Sequence, residues 1–259
     1  MERKIRREEI LSFLNDRFYI GCGHYSIDYK GTLEDGDVVI KAINVYEDNL
    51  PSIKKEIRIL RSVYHENIVE FVGYLIDLPK LYLVTEFIGS SLDKVIHKRT
   101  DPYTNEQAIN WMLQAARGLH YLHSLTPKQI HRDVRPHNMV IDRDRKVLKL
   151  TNFANTNIMG KSETHLYMAP EIFDGIRFTE KCDVFSLGIT FWEVLSRKIP
   201  YKDGPSNMLA FVKKVTQENL RPPLLDISEC PEHIKVLIES SWSPQPKQRP
   251  KIKDIIAAL

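Results

Sequence analysis

The sequence lacks every feature that would commit it to an unusual environment. No apolar run approaches the roughly 18 residues of a membrane-crossing helix. The charged opening MERKIRREEILSFL lacks the apolar core of a secretory signal. Neither sign of charge dominates: 37 basic and 34 acidic residues leave a net charge of +3. That balance gives no electrostatic case for a nucleic-acid partner. The three cysteines, Cys22, Cys182 and Cys230, form no CxxC pair and cannot all be bridged. Reduced thiols in a cytoplasmic protein are therefore expected. Repeats and low-complexity tracts are also missing.

What is present suits one two-lobed domain. The chain has 259 residues, 42% hydrophobic and 27% charged, enough for a sizeable core. Arg3, Lys4, Arg6 and Arg7 alternate with Glu2, Glu8 and Glu9, which predicts a solvated helical or flexible tail over residues 1–15 rather than a lipid-binding one. RFYIGCG, SIDYKG and DVVIKAI read as strands, with LEDGD as the turn before the third. Ile53, Ile57 and Leu60 recur at helical spacing in SIKKEIRILRS. IVEFVGYLI and LYLVTEFI read as two more strands. After GSS the pattern becomes helical, beginning with NEQAINWMLQAARGLHYLHS. DVFSLGITFWEVLS is apolar on most faces and predicts a buried helix.

The most informative stretch is IHRDVRPHN, Ile130 to Asn138. Asp133 offers a base for a hydroxyl, and Asn138, five residues on, offers a metal ligand. With Gly21-Cys22-Gly23, Val38-Val39-Ile40-Lys41, Glu56 and Ala169-Pro170-Glu171 in order, the chain resembles the protein-kinase superfamily. YLHS, YMAPEIF, EKCDVFSLGI and FWEVLSRK make it most similar to tyrosine-kinase-like Ser/Thr kinases, of the TGF-beta-activated, MAP kinase kinase kinase type. Thr164 fits a Ser/Thr rather than a tyrosine kinase.

The resemblance implies an α+β, two-lobed protein kinase fold. The kinase domain would span residues 16–259, with a small antiparallel-sheet N-lobe over 16–88 and a mostly helical C-lobe over 89–259. ATP and Mg2+ are the implied cofactors. Asp133 would orient the substrate hydroxyl and accept its proton, with Arg135 beside it. Lys41 would hold the phosphates and pair with Glu56. Ile20, Gly21, Gly23, Asp28, Val39, Thr85, Glu86, Ile88 and Val140 would line the nucleotide. Asn138 and Asn152 stand at the magnesium positions. Arg132 would meet a phosphate carried by Ser162 or Thr164, or only brace its loop. Leu60, Phe71, His131 and Phe153 match the stack of active kinases. Glu171 and Arg249 match a buried ion pair, and Asp183 the residue that holds the catalytic loop.

The departures from the family cluster on nucleotide and metal. Asn152-Phe153-Ala154 replaces Asp-Phe-Gly, so a neutral amide stands where magnesium expects a carboxylate. Ser26 replaces the third loop glycine, and Asp28 the valine over the adenine. Val39 replaces a small alanine, and Arg135 a lysine. A one-residue slip would instead turn Asp28 outward and Ile27 inward. Two functions follow from the resemblance. One is a pseudokinase, a scaffold or modulator for protein partners of a MAP kinase or JNK-type cascade. The other is an active Ser/Thr kinase with Asp133 as base.

Overall fold

The computed structural model describes residues 3–22, 26–34, 36–46, 50–97, 102–153, 164–175, 178–205 and 207–259. The chain divides into two compact units, the first ending at Gly89 and the second starting at Ser90.

The first unit opens with β1 (Arg3–Lys4) and α1 (Arg7–Leu11). Then come β2 (Tyr19–Cys22), β3 (Ser26–Leu33), β4 (Gly36–Asn44), α2 (Leu50–Ser62), β5 (Phe71–Asp77) and β6 (Lys80–Glu86). The sheet order is β1-β5-β6-β4-β3-β2. The pairs among β2 to β6 are antiparallel, and β1 adds a short parallel edge at Gly73 and Tyr74. Period-two alternation sets the two faces of β4. Val38, Ile40 and Ala42 are buried, while Val39, Lys41 and Ile43 are half-buried on the opposite side.

Where a solvated tail is expected, the structure has core. Ile5 and Ile10 are fully buried and pack with Leu33, Val38, Ile40, Ala42, Tyr82 and Val84. Charges flank both isoleucines in sequence, which hides the apolar pair. Arg6, Arg7 and Glu8 are exposed, and Arg7 reaches Asp77 at 2.8 Å.

From Ser90 on, the second unit contains the rest of β7 (Gly89–Ser91), then α3 (Leu92–His97), α4 (Asn105–Ser124), β8 (Met139–Asp142) and β9 (Leu148–Leu150). It continues with α5 (Pro170–Phe173), α6 (Glu180–Ser196), α7 (Met208–Gln217), α8 (Glu232–Ser241) and α9 (Ile252–Ala258). Thr104 starts α4 through a reciprocal cap: its hydroxyl accepts the Gln107 N–H at 3.1 Å, and Gln107 Oε1 accepts the Thr104 N–H at 3.0 Å. Helix α6 is buried without a break from Cys182 to Leu195, as its all-round apolar pattern predicts. Together the strand-rich and helical units form the α+β, two-lobed protein kinase fold. Among the described residues, no helix is long and apolar enough to cross a membrane. The three cysteines are free, and burial pushes the Cys182 thiol up to about 12.

Candidate functional site

In the second unit the site grows from Asp183, fully buried on α6. Its Oδ2 accepts the His131 N–H at 2.9 Å and its Oδ1 the Arg132 N–H at 2.8 Å. His123 Nε2 lies 2.7 Å from the same Oδ2. These contacts hold the loop from His131 to Asn138, in which Arg132 adopts a left-handed φ of 71°. Burial pushes the His131 pKa down, against the opposing pull of Asp183 and Asp133. Asp133 and Arg135 are both buried, with Arg135 Nε 3.4 Å from Asp133 Oδ1. The loop therefore presents its carboxylate with a cation beside it. The guanidinium of Arg132 lies 5.5 Å over the Phe178 ring, a bracing contact. Ser162 and the Thr164 side chain lie outside the described residues.

The two residues expected at the magnesium positions sit at the two ends of the β8–β9 hairpin. Asn138 precedes β8 and Asn152 follows β9, and the Thr151 N–H donates to the Asn138 carbonyl at 3.0 Å across the stem. Helix α4 clamps this hairpin. Gln114 donates to Lys146 O at 2.8 Å and accepts from Leu148 N at 2.8 Å, while Trp111 donates to Arg145 O at 2.9 Å. Held this way, the two amides meet: Asn152 Nδ2 donates to Asn138 Oδ1 at 2.9 Å. Asn138 Nδ2 in turn donates to the Asp133 carbonyl at 2.8 Å. Asn152 has a φ of 63°, a conformation that Asn adopts more readily than most residues.

This donor set does not fit magnesium. The ion asks for hard, anionic oxygens in near-octahedral array. Here Asn138 Oδ1 already accepts an N–H, and the partner that should be anionic is a neutral amide. Among the described residues, no group of three His, Cys, Asp or Glu side chains is placed to hold a metal ion. The Ala154 backbone lies outside the described residues.

In the first unit, Asp28, Val39, Lys41 and Thr85 share one face of the sheet. Val39 lies opposite Thr85 and Lys30, and Lys41 opposite Leu83 and Asp28. Asp28 is half-buried on this face, whereas Ile27 points to the other side and is 42% exposed. The slipped register is therefore not the one adopted. Ile20 and Gly21 are half-buried on β2, with Gly21 opposite Asp28. At the end of β6, Glu86 Oε1 accepts the Glu70 N–H at 2.7 Å, and Ile88 follows, half-buried. Val140 lies on β8 in the second unit, half-buried opposite Lys149. Gly23 and the Glu56 side chain lie outside the described residues, so the expected Lys41–Glu56 pair does too.

The scaffold residues take the following positions. Leu60, His131 and Phe153 are buried and Phe71 is half-buried, each within its own unit. Arg249 grips Glu171 with two bonds of 2.7 and 2.8 Å. Burial alone would raise the Glu171 pKa, but the guanidinium overrides it and holds the carboxyl below 4.5. One buried group escaped the sequence reading. Glu193 of α6 takes His97 Nε2 at 2.8 Å and the Tyr167 hydroxyl at 2.6 Å. Its position inside an apolar helix gave the only signal, a carboxylate that must find partners if buried.

A profile of the protein tyrosine and serine/threonine kinase family matches residues 16–259. A mitogen-activated protein kinase kinase kinase 7-like protein of Drosophila melanogaster is 32% identical over 252 residues, covering 93% of this chain and 64% of that protein. Mitogen-activated protein kinase kinase kinase 7 of the same species is 36% identical over 248 residues, 93% of this chain and 36% of the relative. The Homo sapiens protein of that name is 35% identical over 252 residues, 93% of this chain and 40% of the relative. The chain thus spans less than two thirds of the length of each of these relatives.

Proposed function

Given that the chain belongs to the protein tyrosine and serine/threonine kinase family, we propose that it is a cytoplasmic signalling module of the MAP kinase kinase kinase type that has lost efficient phosphoryl transfer. Residues 16–259 form its working domain, with the lobes meeting in sequence at residues 88 and 89. It acts by contact, as a scaffold or modulator for protein partners of a MAP kinase or JNK-type cascade.

The observation that carries this reading is the bond from Asn152 Nδ2 to Asn138 Oδ1. In protein kinases, Mg2+ bridges the nucleotide phosphates and neutralises charge that develops during transfer. An amide pair bonded to itself offers that charge no anionic anchor for a cation. Each 1.36 kcal/mol of lost transition-state stabilisation is about tenfold in rate, so a loss of several kcal/mol slows transfer by roughly a thousandfold or more.

The second reading, an active Ser/Thr kinase, has its own support. Asp133 and Arg135 stand together on a loop held by Asp183, and Lys41 is retained. The test is phosphate transfer from ATP to a MAP kinase kinase by the natural chain, Asn152→Asp and Asp133→Ala. The natural chain should give no more product than Asp133→Ala. Asp133-dependent transfer at the rates usual for the family would overturn the proposal.

A further inference from the structure

Two departures in the glycine-rich stretch act together on the sheet face that carries Lys41. Asp28 lies directly across β3 and β4 from Lys41, and across β2 and β3 from Gly21. Opposed residues of an antiparallel pair share a face, with Cβ atoms about 4.5–5.5 Å apart. Gly21 contributes no side chain, and nothing lies within 4 Å of where its Cβ would stand. In this cross-strand row the charged neighbour of Asp28 is therefore Lys41. Ser26, two residues earlier on the same face, donates its hydroxyl to Asp28 Oδ1 at 3.3 Å. The carboxylate is thus half-buried on the face that it shares with Lys41, where opposite charges attract more strongly than in bulk water.

We infer that Asp28 is a built-in counter-charge for Lys41, occupying electrostatically the place a nucleotide phosphate would take. Ser26 steadies the carboxylate on that face. The inference rests on the reading above that this chain has given up nucleotide chemistry, and it names the residues that exclude the anion. A phosphate approaching Lys41 meets a fixed negative charge on the adjacent strand.

Asp28→Asn removes the charge and keeps the shape, and Asp28→Val restores an apolar residue. Binding of ATP and of adenosine, both in EDTA, is measured by thermal shift and titration calorimetry. The ligand-free melting temperature of each variant reports folding. Both substitutions should tighten ATP binding by about tenfold or more, equivalent to about 1.4 kcal/mol. Adenosine binding to Asp28→Asn should be unchanged, and the ATP gain should vanish in Asp28→Asn/Lys41→Ala. Should Asp28→Val fold poorly, the isosteric Asp28→Asn decides the question. Three results would overturn the inference: an Asp28→Asn protein that binds ATP like the natural chain, a gain equally large for adenosine, or a gain that survives loss of Lys41. Phosphate transfer by the natural chain would overturn the proposed function instead, and unaltered ATP binding by Asp28→Asn would leave that function standing.

Discussion

Replacing Asn152 with Asp reverses the donor at the hairpin stem. The bond from Asn152 Nδ2 to Asn138 Oδ1 disappears, and two oxygens then face each other at a spacing set by the present 2.9 Å. The backbone tolerates the change, because Asp, like Asn, accepts the φ of 63°. The cost is therefore confined to the side chains. A lost hydrogen bond with one partner left facing an acceptor costs about 1–2 kcal/mol at this half-buried site. For a chain of this size each kcal/mol moves Tm by about 2–4 °C, so Asn152→Asp should melt roughly 2–8 °C lower in EDTA. Magnesium with ATP should then recover that loss, since a ligand at about 100 times its Kd adds roughly 2.7 kcal/mol. Asn152→Leu should show the loss without the recovery, and the natural chain should show neither. Calorimetry of the three proteins with and without magnesium measures all of this. The reasoning fails if Asn152→Asp is as stable as the natural chain in EDTA. It also fails if the natural chain gains as much from magnesium as the variant.

Two further outcomes follow from one side chain in each unit, the buried Ile10 and the half-buried His97. Ile10→Ala should lower stability by about 2–4 kcal/mol in urea unfolding, because the site is enclosed by the sheet; a change below about 0.5 kcal/mol, typical of a surface position, would show that the opening segment is not core. His97 is held above its ordinary pKa of 6.5 by the Glu193 carboxylate, with burial opposing and Asp93 assisting. A raised folded pKa gives stability that is full below 6.5 and is lost as pH rises through the folded value. His97→Gln should therefore flatten the decline in the urea midpoint between acid and alkaline buffer, and an unchanged slope would remove His97 as its source.

The fold was legible because its signals are local. β3, β4 and the turn between them follow from alternation and Asp-Gly punctuation, and α4 starts and stops where its apolar period does. The opening segment was not legible, because Ile5 and Ile10 sit among seven charged neighbours and are buried by a sheet formed later in the chain. The loop from His131 to Asn138 could be read from one stretch, since Asp133 and Asn138 lie five residues apart. The bond between Asn138 and Asn152 could not, since it depends on a hairpin bringing the two amides together and on which way each is turned. The partners of Glu193 come from α3 and from the segment before α5, and periodicity says nothing about which distant hydroxyl or imidazole will reach a buried carboxylate. The Asp28–Lys41 opposition needed the register, which the turn fixes but a motif does not display.

The hairpin clamped by Gln114 and Trp111 also bears on what residue 152 can become. Because its two stems are fixed by α4 and by the Thr151–Asn138 bond, the chemical identity of residue 152 can change without rebuilding the frame around it. Asparagine and aspartate codons differ by a single base. A single base change can therefore place a carboxylate at the hairpin's end without rebuilding what holds it.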